Sequence, residues 1–369
     1  MTIQKISELI KNYTIMKNQL ICNILTSLLG VLMYFTAFSQ YQYSSAPVSS
    51  SMVSQPVQQN LLNNKNSINY MNPGFPKCRA DEITNSFIQQ QMLLDPGYQN
   101  QINQSNYIIN QWIQNFFNNN SNQKKVVSTI PVVVHVLYNP GNSNNPNENV
   151  PDNYIFNMIN TLNEDFRRLN PDASQTRTTF LSVAADAQIE FCLASKDPLG
   201  AATNGITRTS TVEVYFNPDT ETNKMKSSGT NGKTGWDATK YLNIWICNIS
   251  NYANFGTAGY AYLPTPGMHG SSIDGLVIDF KLGIYYGGRT ATHEIGHYLG
   301  LNHTWGSNPP SCSSDDGMAD TPNCASENYG CDYTDNTCVG GDVDQIENYM
   351  SYADCQNMFT INQSAQMNS

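Results

Sequence analysis

Three of the chain's five histidines fall within one stretch, HEIGHYLGLNH, residues 293–303. His293 and His297 are four positions apart. On an α-helix that spacing puts both imidazoles on one face, one turn apart, where both can reach a single metal ion. Glu294 is offset by one position, so it is placed to reach a water at the metal rather than the metal itself. His303 lies six residues past His297, and on a continuous helix it would point about 120° away. Gly300 answers that problem, because glycine adopts left-handed backbone angles cheaply and ends helices. A turn there swings His303 back beneath the metal.

Three neutral histidines leave the fourth tetrahedral position of zinc open. A water at that position has a lowered pKa, and Glu294 can take its proton as general base. Attack on a carbonyl polarised by the zinc, with the proton handed to the leaving amine, is peptide hydrolysis without a covalent intermediate. A structural zinc site has four ligands and is closed, whereas this one has three ligands and a carboxylate alongside. His135 lies within a strand pattern and reads as a hydrogen-bonded core residue, and His269 in GMHG reads as a loop residue. Neither has the spacing to join the site.

The motif requires a helix over RTATHEIGHYLGL (289–301) and a framework to bury it. TIPVVVHVLY (129–138) is a buried strand by its β-branched run. Residues 151–169 carry apolar residues at helical spacing, at Ile155, Met158, Ile159, Leu162 and Phe166, with Pro151 near the start. AQIEFCLAS, YLNIWICNI and DGLVIDF read as further strands, and GTAGYAYLP (256–264) as a shorter, polar-flanked edge strand. The fold class is therefore α/β (α+β), with one domain over 126–369. Upstream, residues 80–117 look helical until NFFNNNSNQKK (115–125) breaks the pattern, and residues 40 to about 70 have the composition of a disordered segment.

The net charge of −10 argues against nucleic acid or an anionic membrane as the main partner. Leu20 to Phe38 is an apolar run preceded by Lys5, Lys11 and Lys17. It ends in TAFSQ, where Ala37 and Ser39 fit a small-x-small cleavage pattern before Gln40, so residues 1–39 read as a secretory signal peptide. A start at Met16 gives a more usual length. The alternative is an uncleaved anchor, since about nineteen residues can just span a bilayer, but Asn23, Thr26 and Ser27 lower the hydrophobicity.

Export to the medium or a periplasm makes the nine cysteines interpretable. Cys22 leaves with the signal and Cys78 stands alone upstream. Cys192 and Cys247 lie in strand-like runs and read as buried thiols, with a bond between them as the alternative. Cys312, Cys324, Cys331, Cys338 and Cys355 crowd the C-terminal stretch, which reads as a disulfide-stapled, loop-rich segment.

The histidine motif followed by the methionine of ENYMSY (347–352) matches the pattern of the metzincin zinc peptidases. Within that clan the chain resembles the pappalysin family over about residues 125–363. The shared stretches are IPVVVHVLY, LNEDFRRLN, IEFCLA, GITRTST, YLNIWICN, HEIGHYLGLNHTWG, DDGMADTP and NYMSY with MFT. The resemblance implies a zincin-like catalytic domain with a mixed twisted sheet, an active-site helix, two long helices beneath the sheet and an irregular, disulfide-stapled C-terminal half. It implies the pairs Cys312–Cys338 and Cys331–Cys355, with Cys324 outside that pattern. It makes Met350 an apolar floor under the zinc rather than a ligand, and Tyr352 a stabiliser of the oxyanion. Read alone, DDGMADTP (315–322) is open between an acidic turn and a calcium site of hard oxygen ligands. The resemblance implies calcium, held by Asp316, Asp320 and Thr321 with the Met318 carbonyl. Members of the family often prefer a basic residue after the cut, and Asp354 is the candidate carboxylate for an Arg or Lys there.

Cys78 sits in PKCRAD. A thiolate is a strong zinc ligand and could fill the open fourth position, excluding water. Related proteases use such a propeptide cysteine for latency, although here Arg79 follows where a glycine is often seen. An unpaired or intermolecular cysteine is the alternative. Activation requires a cut between Cys78 and about Val126, and Lys124-Lys125 is a dibasic candidate. The sequence thus describes a secreted zinc endopeptidase made as a zymogen, with a signal at 1–39, a pro-region at 40–125 and a catalytic domain at 126–369. Its partners are protein or peptide substrates, zinc and calcium, with no nucleic acid and no membrane once the signal is gone. The competing reading is a non-enzymatic extracellular binding protein on the same scaffold. Loss of Glu294 or a histidine would favour it, and all are present.

Overall fold

The computed structural model describes residues 77–119, 126–145, 147–250, 256–286, 288–306, 311–338 and 340–369. The expected signal peptide, its cut before Gln40, Cys22 and Lys124-Lys125 lie outside those residues. In chain order the elements are β1 (Lys77–Cys78), α1 (Ala80–Leu94), α2 (Tyr98–Asn119), β2 (Ser128–Tyr138), α3 (Asp152–Phe166), β3 (Ala184–Ala185), β4 (Ile189–Leu193) and β5 (Ile206–Ser210). They continue with β6 (Leu242–Cys247), β7 (Thr257–Ala261), β8 (Leu276–Asp279), a π-helix (Phe280–Tyr285), α4 (Thr290–Tyr298), β9 (Phe359–Thr360) and α5 (Ile361–Met367).

The main sheet runs β1-β7-β8-β6-β2-β4, and β5 also pairs with β2. β2 is parallel to β4, β5 and β6, and β6 is parallel to β8. β7 turns antiparallel to β8. The sheet is therefore mixed, as the family resemblance implies. Parallel strands are covered on both faces, which is why β2 is buried without interruption from Val132 to Leu137. One face packs Val134, Val136 and Ile244 against Ile155, Leu162 and Phe166 of α3 and Ile295 of α4. The other face packs Leu137, Trp245, Val277 and Tyr260 with Phe216 and Met225 from the irregular stretch between β5 and β6. The five apolar positions that predict α3 are all buried, together with Asp165.

β7 is the edge strand expected from GTAGYAYLP, but that edge is not bare. β1, from the N-terminal end of the described residues, pairs with it in parallel, with Lys77 opposite Thr257 and Cys78 opposite Gly259. The C-terminal half is irregular and stapled by Cys312–Cys338 and Cys331–Cys355, with Cα separations of 5.5 and 5.6 Å. Cys247 and Cys324 are free and buried. Cys192 corrects the expectation of two buried thiols, since it is half-buried and disulfide-bonded, and not to the free Cys247. The chain's last helix, α5, is short and begins with a capping box between Thr360 and Gln363.

Candidate metal centre

α4 carries His293 and His297 on its buried face. The helix stops where the glycine predicts. Gly300 has φ +94°, a left-handed angle that strains any residue with a Cβ. Its N–H donates to His297 O and that of Leu301 to Gly296 O, both at 2.9 Å, which closes the last turn. The chain then returns His303 to the same point. The three Nε2 atoms lie 3.1 to 3.2 Å apart. Tetrahedral zinc with bonds near 2.0–2.1 Å places its ligands roughly 3.3 Å apart, so the triangle fits zinc.

Each Nδ1 is used elsewhere. That of His293 donates to Tyr349 O at 2.7 Å, that of His297 to Leu301 O at 2.7 Å, and that of His303 to Asp81 Oδ2 at 2.8 Å. These bonds fix the tautomer and turn every Nε2 lone pair inward. Burial holds the imidazoles neutral, with His293 and His303 pushed down to about 3 and His297 well below its ordinary value.

Cys78 is the fourth member. Its Sγ and the three histidine nitrogens all lie within 4.8 Å of one another. The thiol also donates to Glu294 Oε2 at 3.3 Å. Glu294 is 1% exposed, and burial pushes its carboxyl up to about 8. β7 holds it in place: the Ala261 backbone hydrogen-bonds to it, and a Cβ on Gly259 would lie 3.0 Å from its Cγ. Tyr352 meets the same segment, its hydroxyl accepting from Cys78 N at 3.1 Å and lying 3.3 Å from Cys78 O. Its ring centre is 5.6 Å from that of His293 and 5.2 Å from that of His303.

Met350 lies under α4. A Cβ on Gly296 would come within 2.4 Å of its Sδ, so the helix can rest on the methionine only through a glycine. Asp165, at the end of α3, ties this floor to the helix. It accepts from Arg289 Nε at 3.0 Å, Thr292 Oγ1 at 2.7 Å and Tyr349 O–H at 2.8 Å. Trp305 stacks on His303 with ring centres 4.3 Å apart. Asp81 and Asp165 are far from the histidines in sequence, and Trp305, two residues past His303, has no spacing rule that announces its stacking, so none of the three was legible in advance.

The other predicted residues lie apart. Asp354 is exposed, its N–H donating to Gly330 O at 2.7 Å beside the Cys331–Cys355 bond. In the acidic segment, Asp316 Oδ1 accepts from Met318 N at 2.9 Å. Asp316 Oδ2, Thr321 Oγ1 and Thr304 Oγ1 are buried with no hydrogen bond of normal geometry, although Thr321 is near enough to favour the charged form of Asp316 and Thr304 to touch Cys324. Burial pushes Asp316 up to about 8. Orphaned buried oxygens are costly, and these fit a hard cation. The Met318 carbonyl accepts from Thr321 N at 3.1 Å. Asp320 is engaged at α5 instead, accepting from Thr360 Oγ1 at 2.7 Å and Asn362 N at 2.9 Å. His135 is the core residue the strand pattern suggests, 2.7 Å from Thr207 Oγ1 and 3.0 Å from Asn243 Oδ1. His269 is exposed.

A family model described as Pregnancy-associated plasma protein-A matches residues 225–369. An extracellular metalloprotease of Arthroderma otae is 38% identical over 137 residues, covering 34% of this chain and 49% of the relative. Extracellular metalloprotease 1 of Coccidioides posadasii is 40% identical over 126 residues, covering 31% and 45%. The chain thus spans about half the length of the curated relatives it matches. Among solved structures, mature mirolysin of Tannerella forsythia in complex with a cleaved peptide is 41% identical, with a TM-score of 0.60, over 67% of this chain and 92% of that one. A point mutant of Tannerella forsythia promirolysin is 38% identical, with a TM-score of 0.60, over 73% and 90%. Among the described residues no helix is long and apolar enough to cross a membrane.

Proposed function

The chain belongs to the pappalysin family of zinc metallopeptidases, and from that premise we propose that it is a secreted zinc endopeptidase made as a latent precursor. The observation that carries the reading is the triangle of Nε2 atoms 3.1 to 3.2 Å apart with the buried Glu294 carboxylate beside it. Zinc bound by His293, His297 and His303 supplies a Lewis acid that acidifies water and polarises a carbonyl. Glu294 would accept the proton of the attacking water and return it to the leaving nitrogen. The Tyr352 hydroxyl, which here bonds the backbone of Cys78, would donate to the substrate's carbonyl oxygen as charge develops on it. β7 offers main-chain groups to an extended peptide, largely blind to sequence.

Cys78 is the latency residue in this reading. Its thiol would hold the zinc together with the three histidines while β1 covers the edge of β7, and both would leave when the chain is cut near Lys124-Lys125. The extracellular relatives support export, with residues 1–39 as the signal. Asp354 is the proposed determinant of a basic residue after the cut.

The test is digestion of a denatured protein by the processed chain, with the new peptide ends read by mass spectrometry. Cuts that need zinc and precede Arg or Lys are expected. No cuts, even after trimming at Lys124-Lys125 with both metals supplied, would favour a binding protein on this scaffold.

We also propose calcium at Asp316, Thr321 and the Met318 carbonyl, with Asp320 bracing the segment against α5. Without the ion, Asp316 has a raised folded-state pKa of about 8 against an ordinary value of 3.8. The folded state then binds the extra proton, so stability falls as pH rises through that window. Calcium at 100 times its Kd adds about 2.7 kcal/mol, or about 5–10 °C in Tm for a domain of this size. That shift is expected near pH 8, is small near pH 4, and is lost in Asp316→Ala. A thermal melt with no calcium shift at pH 8 would return the segment to an ordinary acidic turn.

A further inference from the structure

We propose that Asp81 is a positioning residue for the metal: by holding His303 through Nδ1, it lets the pro-segment add a carboxylate partner to the centre as well as the Cys78 thiol, so that the precursor retains zinc more tightly than the processed enzyme does. The inference rests on the zinc reading above. Its basis is an asymmetry among the three histidines. His293 and His297 are oriented by the carbonyls of Tyr349 and Leu301, which belong to the catalytic domain and stay with it. His303 is oriented by Asp81 Oδ2 at 2.8 Å, a residue 222 positions upstream in the first turn of α1.

His303 also has the greatest need of a partner. It lies past Gly300, outside the helix, so no helical backbone fixes its ring. Trp305 stacks on its face but leaves rotation in the ring plane free. A hydrogen bond to Nδ1 removes that freedom, and a carboxylate raises the donor strength of Nε2. Asp81 is itself well held. Its side chain is 16% exposed. Next to it, Thr84 Oγ1 accepts from Leu263 N at 3.1 Å and Phe87 packs edge-on against Tyr262. The thiol ligand and the carboxylate are three residues apart, so a single cut and release removes both.

The experiment measures the rate at which the zinc-loaded full-length chain gives up its metal to a chromogenic chelator. Loss of a second hydrogen-bonding partner costs about 10–100-fold in metal affinity. Asp81→Ala is expected to release zinc at least about tenfold faster than wild type, with Asp81→Asn between them. Thr84→Val, which loosens α1 but leaves the Asp81 carboxylate in place, is expected to fall closer to the wild-type rate than to that of Asp81→Ala. Processed enzyme made from Asp81→Ala and from wild type has the same sequence and must release zinc alike. An unchanged rate in Asp81→Ala, or equal acceleration in Thr84→Val, overturns the inference and leaves the zinc centre standing. If Asp81→Ala does not fold, Asp81→Asn decides by the same criterion. A wild-type chain that binds no zinc overturns the metal centre itself, and the inference with it.

Discussion

Replacing Glu294 by alanine is expected to lower kcat/KM of the processed enzyme by about 10⁴, the upper end of what a general acid–base contributes, while one zinc per chain stays bound. The reason is placement. Glu294 stands outside the group of four ligand atoms, so its loss leaves the metal's donors intact. It is also the group asked to move the proton twice, from water and to the leaving nitrogen. The other carboxylate near the histidines, Asp81, would depart with the proposed pro-segment and could not replace it. Unfolding is not expected to confuse the result, because burial opposes the charged form of Glu294 and the variant escapes that cost. Glu294→Gln should be nearly as inactive, since an amide cannot accept the proton. Steady-state kinetics beside a zinc determination would check this. An alanine variant within tenfold of wild type would mean that another group is the base.

Replacing Cys78 by alanine is expected to release the precursor from latency. If the thiolate contributes about 3 kcal/mol to holding β1 in the cleft, its loss raises the open fraction, and with it the activity of the unprocessed chain, about 10²-fold. The release is incomplete, because β1 still pairs with β7, Arg79 still pairs with Asp219, and Tyr98 O–H still donates to Pro266 O at 2.9 Å. Self-cleavage during purification is the practical sign. If Cys78 serves instead to join two chains, the variant would leave activity unchanged and remove a dimer from a non-reducing gel.

Legibility followed the range of the rule involved. The histidine spacing and the helix stop at Gly300 depend on a few neighbouring residues, and both appear where helix geometry puts them. The buried strands were readable for the same reason, because a β-branched run such as that of β2 suits a sheet covered on both faces. The helix itself is shorter than the 289–301 stretch, since the turn at Gly300 ends α4 at Tyr298. Family resemblance, rather than spacing, pointed to Tyr352 and to the two disulfides. What stayed hidden depends on the tertiary fold. β1 is two residues long and exists because β7 has an open edge beside it. Asp81 reaches His303 only because α1 docks on Tyr262 and Leu263, just past the end of β7. The buried Asp165 gathers Arg289, Thr292 and Tyr349 from two distant stretches, and nothing near it in sequence announces that.

The measurement that bears most directly on the account is zinc K-edge X-ray absorption of the full-length chain, before and after trimming at Lys124-Lys125. Three nitrogen neighbours near 2.0 Å with one sulfur near 2.3 Å are expected in the precursor, with the sulfur replaced by a light atom after trimming. A precursor whose zinc shows no sulfur, or a sulfur shell that survives trimming, would contradict it.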